Sequence, residues 1–295
     1  MHDDGLTSLG TTPEERATAR RMWIHLECVH VPQYFSPVVA EAHAALGLEL
    51  PWGSYTAGRI APMGSVGPEL ATAAFYGFAP GLVQAALPAS WDAASPEDVH
   101  AATIDAVGRT LAPVLGGLEG DVARAAELAR EVALLQPIVG RPLAAARSAA
   151  PWPDEPHLIL FEAATRIREA RGDGHVATLV AAGIDGCESH LIHAGDSDKL
   201  RAVLQPRRGW SDAEWDAAIR SMQERGLLDA DGQLTELGAV TRDRIERVTD
   251  ALTVPAWRSF GDERTTQLLE ALRPIARALG ATKLVPGIVA RRLDD

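Results

Sequence analysis

The sequence predicts a mainly α-helical chain with one small β-hairpin. Helix start signals recur along its length, whereas runs of alternating apolar residues are scarce. Only one tight-turn pair, Asp231-Gly232, has short apolar stretches on both sides. At 295 residues and 46% hydrophobic, the chain can bury a sizeable core, and its length favours more than one domain.

The elements follow in order. Thr12-Pro13-Glu14-Glu15 reads as a capping box with proline at the first helical position, opening a helix to about Cys28. Ser36-Pro37 starts a second helix, stopped at Gly47, and Ser95-Pro96 a third, running to about Leu115. Leu70 to Trp91 carries no charge and is long enough to span a bilayer. It is rich in Ala and Gly and broken by Pro80 and Pro88, so two short buried helices are expected and no membrane span. Helices are also expected over Asp121–Leu135, Asp154–Arg171 (stopped by Gly172 and Gly174), His175–Ala182, Cys187–Ala194, Ser211–Arg225, Glu236–Leu252 and Asp262–Leu279. The Pro/Gly-rich stretches Glu49–Gly67 and Pro137–Pro153 read as loops, the second as a domain boundary. This divides the chain into an N-terminal helical domain over 1–150, a second domain over 151–260, and a C-terminal helix and tail over 261–295.

A weak internal repeat crosses that boundary. Arg59-Ile-Ala-Pro-Met-Gly64 resembles Arg171-Gly-Asp-Gly174, and Trp91 before SPEDVHAA resembles Trp210 before SDAEWDAA. Duplication would give two related helical units with a cleft between them; chance likeness of Ala-rich helices is the other reading.

The strongest local pattern lies near 172–252. A helix ends in Met222-Gln-Glu-Arg-Gly-Leu-Leu228, the Asp231-Gly232 hairpin follows over Leu227–Thr235, and Thr235-Glu-Leu-Gly238 opens a long helix with Thr235 as its N-cap. That order is the order of a winged helix-turn-helix unit, and the stretch resembles the MarR-type regulators. The resemblance implies that the helix before the wing reads the major groove of duplex DNA. More widely, LECVHVPQYF (Leu26–Phe35), YTAGRIAPMG (Tyr55–Gly64), FYGFAP (Phe75–Pro80), REARGDGHVATLVAAG (Arg168–Gly183) and RGWSDAEW (Arg208–Trp215) resemble an actinobacterial helix-turn-helix family over most of residues 15–260. The resemblance implies an architecture and no established reaction.

Charge speaks against easy DNA binding. The chain is net −12, and within Ser211–Arg225 the acids Asp212, Glu214, Asp216 and Glu224 oppose only Arg220 and Arg225. Acids at a helix start complement the helix dipole, which accounts for them in the fold without making the helix a DNA reader. Cysteine is limited to Cys28 and Cys187, read as core residues, and MHDDGLTSLG lacks the pattern of a secretory leader. A reducing, cytoplasmic setting is therefore expected.

Two polar groups are candidate sites. In Arg168-Glu169-Ala-Arg171-Gly-Asp173-Gly-His175, the glycines free the backbone to aim Asp173 and His175 into a cleft, with His175 kept neutral near a helix start. In Leu26–Phe35, Glu27 and His30 share a helix face, with Tyr34 beyond and Tyr55 and Arg59 in the next loop. Ordinary alternatives are an Asp cap with surface ion pairs, and a buried Glu–His pair at a helix junction. The aromatic residues Trp23, Trp52, Phe75, Tyr76, Phe78 and Trp91 suit either a core or an apolar pocket. Metal spacing is poor at Glu188, His190 and His193, so no metal is expected, nor any cofactor.

Two functions follow. The first is a small-molecule-binding regulator, in its simplest form a dimeric transcription factor. It takes a small hydrophobic or aromatic ligand through His30, Tyr34, Tyr55, Arg59, Arg171, Asp173 and His175, and acts on duplex DNA. The second is an enzyme or ligand-sequestering protein without DNA binding, with His175 as acid–base group supported by Asp173, Glu27 and His30. The regulator needs a positive face around Ser211–Arg225; the enzyme needs His30 and His175 in reach of one pocket.

Overall fold

The computed structural model describes residues 9–195 and 197–294. The first eight residues, part of the stretch read for a leader, lie outside it. Proline and hydroxyl caps start most of the helices. They are α1 (Pro13–His30), α2 (Pro32–Phe35), α3 (Pro37–Ala45), α4 (Trp52–Ile60), α5 (Pro68–Phe75), α6 (Pro80–Ala93), α7 (Pro96–Leu111), α8 (Glu119–Leu134) and α9 (Pro142–Ala149). There follow α10 (Pro156–Ala181), α11 (Glu188–Ala194), α12 (Asp198–Arg207), α13 (Asp212–Glu224), α14 (Glu236–Ala251), α15 (Val254–Phe260), α16 (Asp262–Gly280) and α17 (Gly287–Ala290). The Thr12 hydroxyl accepts from the Glu15 amide at 3.2 Å while the Glu15 carboxylate takes the Thr12 amide at 2.8 Å, the reciprocal box its spacing predicts. Leu70–Trp91 folds into the expected pair of helices, broken at the Tyr76–Ala79 turn; Pro88 stays inside α6. No described helix is long and apolar enough to cross a membrane.

The long helix α10 is the spine. Leu160, Phe161, Ala163, Ala164 and Ile167 pack with α1, α7, α8 and α16 in the main core. A second core holds Leu179, Ile184, Leu191, Trp215, Met222, Leu228 and Ile245, and so ties the last turn of α10 to α11, α13 and α14. A third joins Ile60, Phe75, Phe78, Val83 and Leu87. Cys28 and Cys187 are free and buried, as their apolar settings predict.

Several expectations are corrected. Among the described residues there is no β-strand, so the winged helix with a β-hairpin is not formed. Leu228 and Leu234 make a single antiparallel bridge. The reason is local: the Asp229 carboxylate accepts from the amides of Asp231 (2.9 Å) and Gln233 (2.8 Å), closing a tight turn. Leu227 and Leu228 are drawn into the second core instead of extending a ladder. What remains is mainly α and helical in its turn-helix part.

The helix predicted to stop at Gly172 and Gly174 runs on to Ala181. Each interior glycine costs about 1 kcal/mol of helix propensity, but Gly174 makes room for Arg141. A Cβ there would lie 3.1 Å from the guanidinium, which donates to the Ala170 and Leu252 carbonyls. His175 is therefore mid-helix, and a helix-start dipole does not act on it. The expected loops at 49–67 and 137–153 contain α4 and α9, both half-hidden behind Pro and Gly. Arg59 closes a helix whereas Arg171 sits inside one, so the two stretches paired by resemblance differ in local structure.

Candidate functional site

Helices α1, α10 and α14 enclose a cleft of about 800 Å³, which Arg292 of the C-terminal turn also lines. Its floor is an ion network between distant parts of the sequence. Asp250 of α14 accepts from Arg20 Nε at 2.8 Å and from Arg171 Nη2 at 2.9 Å, and Glu246 accepts from Arg20 Nη2 at 2.8 Å. Arg171 lies flat over Trp23, 4.1 Å from the ring centroid. Burial pushes Glu246 up, but Arg171, His175 and Arg20 outweigh it and hold the carboxyl down at about 2.

His175 lines the same cleft. Its Nδ1 is 2.9 Å from the Thr249 hydroxyl. That hydroxyl already donates to the Ile245 carbonyl, so it accepts here, which fixes the Nδ1–H tautomer and leaves Nε2 an acceptor. Burial lowers the imidazole to about 4, against the pull of Glu246. The neutrality expected of His175 holds, but desolvation produces it.

The other predicted residues gather behind the cleft or point away from it. Arg59 grips Glu169 with two bonds, Nε–Oε1 at 3.0 Å and Nη2–Oε2 at 2.9 Å, both side chains buried. The rings of Tyr34 and Tyr55 are 4.9 Å apart, and those of His30 and Tyr34 5.3 Å. Tyr34 and Arg59 border a void of about 10 Å³, room for roughly one water. His30 is wholly buried. Its Nδ1 donates to Thr165 at 3.1 Å, and Gln33 covers the ring. Burial drives its basicity far down, so it stays neutral. Glu27 and His30 do not pair: Glu27 faces the cleft, where burial raises its carboxyl against the nearby Arg168. Arg168 links the two groups, donating to Glu169 at 3.0 Å with Glu27 at 3.9 Å. Asp173 belongs to neither. It accepts from the Ala144 amide at 2.9 Å, so it caps α9, and burial raises it to about 6. Among the described residues no three His, Cys, Asp or Glu side chains gather as a metal site.

Sequence reasoning thus found Arg168, Arg171, His175 and Glu27 of the cleft and missed Arg20, Arg242, Asp243, Glu246, Arg247, Asp250 and Arg292 as its lining. The one local signal was Glu246 and Asp250, four apart on one face of α14.

The turn-helix part leans on the rest through the 76–79 turn. The Tyr76 hydroxyl donates to the Ile184 carbonyl, and the Gly77 carbonyl accepts from His190 Nε2 at 2.5 Å and Trp210 Nε1 at 3.0 Å. Tyr76 itself has φ +56°, an uncommon conformation for a bulky residue that these clamps hold in place. On α13, Trp215, Ala218 and Met222 face the core, leaving Asp212, Glu214, Asp216, Arg220 and Glu224 exposed. Asp212 accepts from Gln205 of α12 at 2.7 Å and Glu214 closes a capping box with Ser211, but none of the acids is buried and the exposed face is not positive.

A profile described as a helix-turn-helix family matches residues 19–286. No curated protein and no solved structure matches the chain. The matched region takes in the cleft helices α1, α10 and α14 as well as α11 to α13, and by that match the chain belongs to this helix-turn-helix family.

Proposed function

We propose that this chain is a helix-turn-helix regulator that binds a small molecule in the cleft between α1, α10 and α14 and transmits its occupancy to duplex DNA. The observation that carries the reading is that α14 belongs to two structures at once. Through Ile245 it packs into the core of α11 and α13, and through Glu246 and Asp250 it supplies one wall of the cleft. A ligand that shifts α14 against α1 changes the setting of α13 directly, which is what a population shift between DNA-binding and free states requires. The aromatic surface of Trp23 and the neutral His175 favour a ligand with a flat ring.

The test is titration of the full chain with duplex DNA from its own upstream region, across about 50 to 200 mM salt. Binding that weakens steeply with salt is expected of a duplex held through phosphate contacts, for which Arg207, Arg220 and Arg244 are exposed. No binding at the low-salt end removes DNA from the proposal and leaves the cleft alone.

A further inference from the structure

The cleft sorts its arginines into two kinds. Arg20 and Arg171 are held by Asp250 and Glu246, Arg168 by Glu169, and Arg16 by the Thr11 carbonyl at 2.7 Å. Arg242 has only Asp243, at 3.6 Å and off hydrogen-bond range, while Arg247 and Arg292 have no carboxylate within ion-pair reach among the described residues. Two guanidinium groups without an acid of their own, Arg247 and Arg292, and a third with only the loose Asp243 pair thus line a concave site in a chain that is net −12. They are forks, not point charges, and suit an oxyanion with several equivalent oxygens. The lining carries seven arginines against the four carboxylates Glu27, Asp243, Glu246 and Asp250, an excess of positive charge that favours a dianion over a single carboxylate. Deeper in, two buried polar atoms make no hydrogen bond: Glu27 Oε2, with only Arg168 at 3.9 Å, and Arg171 Nε, on a side chain 9% exposed. Unmet buried atoms of this kind are expensive unless a ligand or water meets them.

Taking the cleft as the ligand site of the reading above, we propose that it binds a phosphate ester whose ring carries an amino or hydroxyl donor. Arg242, Arg247 and Arg292 take the phosphate, Arg171 Nε donates to a ligand acceptor, and Glu27 Oε2 accepts from the ring's donor. The ring needs a donor because Glu27 Oε2 is buried and accepts no hydrogen bond in the free protein.

The experiment is calorimetric titration of the full chain with three probes: 4-aminophenyl phosphate, phenyl phosphate and aniline. The first should bind, the second about tenfold more weakly for loss of one hydrogen bond to a charged group, and aniline not measurably. Arg247→Ala and Arg292→Ala, both partly exposed, should each weaken 4-aminophenyl phosphate about tenfold with unchanged melting. Glu27→Met should make the two phosphates bind alike. Absence of binding by either phosphate to folded protein at low salt overturns the proposal. So does equal affinity in the wild type and an Arg247→Ala/Arg292→Ala double variant, which would put the phosphate elsewhere. If the phosphates fail and the double variant instead loses duplex DNA, these arginines are backbone contacts of the DNA. Probe binding that persists in a protein without DNA affinity removes the regulator reading alone.

Discussion

At the scale of single residues, the chain concentrates its charge where water is excluded. Glu162 is wholly buried and holds two arginines, Arg147 through Nη2 at 2.5 Å and Arg166 through Nε at 2.8 Å. Arg166 also stacks 4.0 Å over Trp152 and donates to the Ala150 carbonyl at 2.6 Å. A buried pair need not stabilise relative to apolar residues, but breaking one strands its partners. Glu162→Gln should therefore lower stability by about 3 to 5 kcal/mol, read from the urea midpoint, because two buried guanidinium groups lose the anion they share. A change under about 1 kcal/mol would mean that water reaches this triad. Nothing in the sequence marks Arg147, Glu162 and Arg166 as a buried group. The i,i+4 spacing of Glu162 and Arg166 was visible, but nothing local says which side of a spine helix carries it. The same blindness hid Arg20 and Asp250, 230 positions apart and joined only by the fold.

At the scale of elements, close backbone approach governs how the turn-helix part is set. A Cβ at Gly238 would overlap the Leu227 carbonyl oxygen, and Leu234 Cδ2 would be 3.0 Å away. The glycine in Thr235-Glu-Leu-Gly238 is thus what lets α14 start directly against the turn after α13. Gly238→Ala should destabilise by about 1 to 3 kcal/mol through overpacking, seen as a lower thermal midpoint. Exposed α13 yields a second prediction. If that helix faces phosphates, Asp216→Lys removes a repulsion and adds an attraction, so DNA affinity should rise and its salt dependence steepen by about one charge. Unchanged affinity would place the DNA on another face. Legibility divides along the same line. Helices announced by Thr12, Ser36, Ser95, Ser211 and Thr235 were readable, because a cap is a local interaction between a side chain and its own next turn. The stop at Gly172 and the hairpin at Asp231-Gly232 were misread, because Arg141 and the second core override the local preference at each.

For the whole molecule, the described histidines are shifted in one direction, each by its own burial. All eight described histidines, at 25, 30, 43, 100, 157, 175, 190 and 193, have imidazoles lowered below the ordinary 6.5, with burial the leading cause each time. His100, His175 and His190 fall to about 4. The unfolded chain takes up protons near 6.5, while in the folded chain each uptake moves to lower pH, at His100, His175 and His190 to about 4. Stability is therefore full above about pH 6.5 and is lost as pH falls toward 4. Asp173, raised to about 6, acts in the opposite sense over its own window, since the folded state keeps a proton that the unfolded state releases; Glu27, raised too, joins it. Two carboxyls cannot offset eight imidazoles. Between about pH 6.5 and 5, unfolding free energy should fall by more than about 1.4 kcal/mol per pH unit, the slope set by one proton. Urea titrations at several pH values measure it directly. A one-proton slope would mean that most of these histidines reach water, and with them the cleft that His175 lines.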